Sequence, residues 1–75
     1  MNLTVNNDVL MGKWKQLRGR VKQRWGKLTD NQLDQISGSY EQLVGVVQES
    51  YGYTREKARE QVDGFIDSVK HSLGG

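Results

Sequence analysis

Few side chains in this sequence could do chemistry, and their spacing favours electrostatic contact over catalysis. His71 is the only imidazole, and no cysteine or second histidine exists to share a metal or a proton with it. Its expected role is that of a solvated cation near a helix C-terminus. Glu56, Glu60, Asp63 and Asp67 form a carboxylate ladder at helical steps. A hard cation wants six or more converging oxygens, and one helix rarely brings such a ladder to a point, so a solvated face is expected there. No glycine cluster precedes a helix to cradle a phosphate, because Gly12, Gly19 and Gly26 are spaced by seven inside a periodic segment. No catalytic residue, metal ligand, cofactor or small-molecule substrate is expected, and the chain does not read as an enzyme.

The remaining chemistry is cationic. Gly12-Lys13-Trp14-Lys15-Gln16-Leu17-Arg18 is followed by the related heptad Gly19-Arg20-Val21-Lys22-Gln23-Arg24-Trp25, then by Gly26-Lys27-Leu28. Seven of the eleven Lys and Arg lie here with both tryptophans and no acid: Lys13, Lys15, Arg18, Arg20, Lys22, Arg24 and Lys27. These seven are the candidate anion-binding residues, since a basic stripe interleaved with aromatics is where a polyanion can be held. A charge run is more often a solvated face. Residues 1–27 carry seven bases against one acid, and residues 28–75 four bases against eight acids, so an intramolecular match between helices is the competing use.

These residues are positioned by helices. Leu10, Trp14, Leu17, Val21, Trp25 and Leu28 recur at steps of three and four, which places them on one face, with Asn7 or Asp8 expected to cap the start. The basic residues flank that stripe on both sides, and Gly12, Gln16, Gly19, Gln23 and Gly26 fall opposite it. Each interior glycine costs roughly 0.8–1 kcal/mol against alanine, so this helix should depend on tertiary packing. Thr29-Asp30-Asn31-Gln32 and Ser39-Tyr40-Glu41-Gln42 read as capping boxes, the first opening a short helix that Gly38 ends. Gly52 reads as a left-handed cap closing the third helix, and Thr54 opens the last, with Tyr53 placed to staple onto Ala58.

Proline is absent and the connections are short, which predicts an all-α, compact array of four helices. The expected core aromatics are Trp14, Trp25, Tyr40, Tyr51 and Phe65, since a chain of 75 residues needs its apolar stripe for folding. The expected organisation is a flexible extension at 1–6, one domain at 7–73 and a frayed tail at 74–75. No apolar run approaches the ~18 residues of a membrane span, and the N-terminus has no signal-peptide pattern, so a cytoplasmic monomer is the default.

Four pieces in order resemble the CsbD-like family of small bacterial stress proteins. They are Gly12-Lys13-Trp14-Lys15-Gln16-Leu17-Arg18-Gly19, Trp25-Gly26-Lys27-Leu28-Thr29-Asp30, Gln42-Leu43-Val44-Gly45, and Tyr51-Gly52-Tyr53-Thr54-Arg55-Glu56 with Ala58 and Val62-Asp63. The resemblance runs from about Asn7 to Phe65. It implies two helical hairpins packed crosswise and a role in general stress responses, with no established biochemical activity. Met1–Asn6 and the Ser37-Gly38-Ser39 corner depart from the family pattern. The resulting expectation is a stress-associated protein that acts by binding or protection. The rivals are a nonspecific nucleic-acid-binding module built on the basic helix, and a peripheral protein of anionic membrane surfaces whose first helix detaches and inserts.

Overall fold

The computed structural model describes the backbone of residues 3–74 and the side chains of residues 7–71. Among the described residues the order is α1 (Leu3–Arg24), α2 (Asp30–Ile36), α3 (Tyr40–Tyr51) and α4 (Arg55–Gly74). The protein is an all-helical array, as the periodicity predicts. Helix α3 is its centre, packing against each of the other three and most closely against α4.

Local chemistry fixes the corners. Thr29 caps α2 with a complete capping box: its Oγ1 accepts the Gln32 N–H at 3.2 Å, and its own N–H donates to Gln32 Oε1 at 2.9 Å. The second box is only half formed. Ser39 Oγ accepts the Gln42 N–H at 3.4 Å, but the Ser39 N–H is already used by the Ile36 carbonyl at 2.8 Å, inside the tight corner. That corner needs two left-handed residues in a row, Ser37 (φ 46°) and Gly38 (φ 86°), so Ser37 takes the capping place expected of Gly38. Gly52 caps α3 at φ 68°, and Thr54 Oγ1 accepts the Lys57 N–H at the start of α4.

Helix α1 departs most from expectation. It begins at Leu3, so neither Asn7 nor Asp8 caps it; Met1 and Asn2, within the expected flexible extension, lie outside the described residues. Asn7 caps another helix, its Oδ1 accepting the Tyr40 N–H at the head of α3 at 2.9 Å. The helix is also interrupted, since Lys13 leaves helical geometry at φ −125°, ψ 18°. The break adjoins a close approach: a Cβ on Gly38 would stand 2.9 Å from Met11 Cα and 3.1 Å from the Leu10 carbonyl oxygen. At the other end α1 stops at Arg24, and Trp25–Leu28 turn the chain into α2, held by the Leu28 N–H on the Trp25 carbonyl at 3.1 Å. Helix α4 runs on to Gly74, and Gly75 of the expected tail lies outside the described residues.

The core is one cluster drawn from all four helices and the α1–α2 turn, with Leu10, Leu17, Val21, Leu28, Leu43, Val44, Val47, Val62 and Ile66 almost fully enclosed. Trp25 packs its ring against Phe65 at 5.2 Å between centroids, and both are buried with Tyr40. Trp14 and Tyr51 are not core residues in that sense. Both are half-buried and pack on the cluster from its rim. Trp14 is the first residue after the break at Lys13. Among the described residues no helix is long and apolar enough to cross a membrane.

Candidate polyanion-binding surface

Five of the seven cations separate into two flanks, because a helix of 3.6 residues per turn puts Lys15, Arg18 and Lys22 on one side of the buried stripe and Arg20 and Arg24 on the other, while Lys13 stands at the break that precedes them. Lys27 lies just beyond the helix end. The first flank faces α2. The Arg18 guanidinium pairs with the Asp34 carboxylate and also donates to the Asp30 carbonyl at 3.4 Å, while Lys22 Nζ reaches Asp30 Oδ1 at 3.2 Å. Two of that flank's three cations therefore serve the chain's own acids. Lys15 has no carboxylate partner among the described residues.

The second flank is differently placed. Lys13, Arg20, Arg24 and Lys27 are exposed and make no ion pair among the described residues. Arg20, Gln23 and Arg24 line an open groove whose other wall is Phe65, Ser68 and Val69 of α4. The Arg24 guanidinium lies 5.8 Å from the centre of the Trp25 ring, and Lys27 Nζ lies 5.1 Å from that of Tyr51. Such contacts hold the cations near an aromatic face while leaving their N–H groups free, since cation–π attraction uses no hydrogen-bond donor. Chemically, the arrangement presents a row of donors to phosphate or carboxylate oxygens.

The ladder on α4 is not uniformly solvated. Glu56, Glu60 and Asp67 are exposed, whereas Asp63 is half-buried and accepts the Tyr40 hydroxyl proton at 2.8 Å. Burial, together with this bond to a carboxylate, pushes the Tyr40 phenol up to about 12. Glu41 of α3 is likewise engaged, pairing with Arg55 and, at 3.6 Å, with Arg59 of α4. Among the described residues no three His, Asp or Glu side chains come together as metal ligands, and His71 is exposed. Sequence reasoning missed one cluster. Tyr51 and Tyr53 stack at 5.6 Å and 20°, with Lys57 Nζ 5.2 Å from the Tyr53 ring. Its signal was the Tyr-Gly-Tyr spacing, because a left-handed Gly52 turns the second ring back over the first.

Residues 8–60 match the family model described as CsbD-like. Among curated proteins, the chain is 62% identical over 29 residues to a UPF0337 protein of Pseudomonas aeruginosa, a match covering 39% of this chain and 45% of that protein. It is 52% identical over 33 residues to a UPF0337 protein of Protochlamydia amoebophila, covering 44% and 50%. A third, from Rhizobium meliloti, is 68% identical over 25 residues, covering 33% and 36%. The chain thus spans half or less of the length of these curated relatives. No solved structure matches the chain.

Proposed function

The chain belongs to the CsbD-like family of general stress-response proteins, whose biochemical activity is uncharacterised, and on that premise we propose that it acts stoichiometrically, by weak electrostatic binding to a nucleic-acid phosphate backbone and not by catalysis. The observation that carries this reading is the unequal treatment of the two cationic flanks. Arg18 and Lys22 are paired with α2, while Lys13, Arg20, Arg24 and Lys27 face solvent unpaired among the described residues. Surface ion pairs stabilise a fold by about 0–1 kcal/mol each, so folding makes little demand on an unpaired flank, and its cations remain available to a partner.

Nothing on this flank is arranged for base readout. The contact should therefore be sequence-indifferent and governed by counterion release, with a log–log salt slope of about 0.9 per phosphate on a duplex. Four cations give a slope of about 3.6, so affinity should fall by roughly 150-fold between 50 and 200 mM salt. The membrane rival is less favoured, because Trp25 is enclosed against Phe65 and would have to leave the core to insert.

Titration of the pure protein against duplex DNA and against anionic vesicles, at low and physiological salt, tests the reading. The expected result is weak duplex binding at low salt that fades near physiological salt. A sub-micromolar, sequence-dependent complex at physiological salt would contradict it. So would tight vesicle binding accompanied by a shift in tryptophan emission.

A further inference from the structure

At the end of the unpaired flank, Lys27 joins the cationic row to the tyrosine pair. Its backbone N–H donates to the Tyr51 hydroxyl oxygen at 3.2 Å, and its ammonium lies over the Tyr51 ring at 5.1 Å. Tyr51 in turn stacks on Tyr53, and Lys57 lies over the Tyr53 ring at 5.2 Å. Resting on the polyanion reading above, we infer that Lys27, Tyr51, Tyr53 and Lys57 form a stacking platform for unpaired bases, so that the preferred partner is single-stranded nucleic acid.

The platform is preorganised by its backbone. Gly52 holds φ 68°, a value that costs a residue with a Cβ, and the Tyr53 N–H closes the turn on the Gln48 carbonyl at 3.2 Å. Both rings are half-buried, and both lie outside the enclosed core. A surface ring covered only by a flexible ammonium is what a nucleotide can use, the base lying on the ring and the phosphate meeting the cation. An exposed cation–π contact is weaker than a base stacked on an aromatic ring, so an arriving base displaces Lys57 from Tyr53 and leaves its ammonium beside the phosphate.

A duplex cannot use the platform, because its bases already stack on one another. Charge restricts the path of the strand. Glu49 and Tyr53 line the same depression on the outer face of α3, so a phosphate is repelled there and runs on the Lys27 side toward Arg24 and Arg20. Every base has a π-face, so the preference is for single strands and not for sequence.

The full-length chain is titrated by fluorescence anisotropy, at one low salt concentration, with three labelled probes: oligothymidylate, a duplex of the same length, and an abasic strand carrying the same phosphates. Oligothymidylate is expected to bind about tenfold more tightly than the abasic strand, the increment of one stacked base. Tyr53→Leu should remove that difference and leave abasic and duplex binding unchanged, while Tyr53→Phe should retain it; circular dichroism confirms that each variant is folded. Equal affinity for all three probes would overturn the platform and leave the electrostatic reading standing. Absence of binding to every probe would overturn both.

Discussion

Tyr40 joins three helices through separate atoms: its amide is capped by Asn7 of α1, its ring lies in the core, and its hydroxyl donates to Asp63 of α4. Its raised phenol ties stability to pH. The folded state keeps the proton up to about 12, whereas an unfolded chain releases it near 10. The stabilisation is therefore complete below pH 10 and is lost as pH rises through about 12, by about 3 kcal/mol in all. Urea unfolding of wild type and Tyr40→Phe between pH 9 and 12 should show this fall in the wild type alone, with the variant weaker by about 1 kcal/mol at neutral pH because the hydrogen bond from Tyr40 to Asp63 is removed. Parallel curves would show that the phenol contributes nothing to the alkaline limb. The glycines offer a second residue-scale contrast. Gly52→Ala meets open space and should cost only the left-handed penalty of roughly 1–2 kcal/mol, while Gly38→Ala adds a collision with Met11 Cα and should cost distinctly more. Gly52 was legible as a cap because its role is local. The Tyr40–Asp63 bond was not, since helical spacing alone makes Asp63 one rung of a solvated ladder.

The elements differ in how much of their shape is local. Helices α2 and α3 open where Thr29 and Ser39 say they should, because a cap satisfies amide groups within three residues of itself. Helix α1 is shaped less locally. Its apolar steps run through Lys13 without interruption, and the break there adjoins the seat of Gly38, a contact that no local pattern contains. The role of Asn7 was likewise not legible, because a residue that can cap its own helix can equally cap another. A helix carrying Gly12 and Gly19 on its outer face should hold together only by packing. A peptide of residues 9–27 should accordingly show little helicity by circular dichroism in plain buffer, and strong helicity would contradict this dependence. A Cβ on Gly19 meets nothing within 4 Å. Gly19→Ala should therefore stabilise the whole protein by roughly 0.8–1 kcal/mol, read as a raised urea midpoint.

At the scale of the molecule, the charge asymmetry of the sequence is only partly cancelled by folding. The all-helical array and its core were legible from periodicity, since burying the apolar stripes requires helices packed on one another. Which cations would be neutralised was not legible, because Arg18 and Lys22 differ from Arg20 and Arg24 only in the flank that α2 covers. That division carries the functional account, and one comparison tests it most directly. Duplex DNA affinity is measured against salt for wild type, for Arg20→Gln with Arg24→Gln, and for Arg18→Gln with Lys22→Gln, each variant checked for its fold by circular dichroism. The account predicts that the first pair lowers the log–log slope by about 1.8, two phosphates at 0.9 each, and that the second pair leaves the slope unchanged. Equal losses from both pairs, or a loss from the Arg18 and Lys22 pair alone, would contradict it.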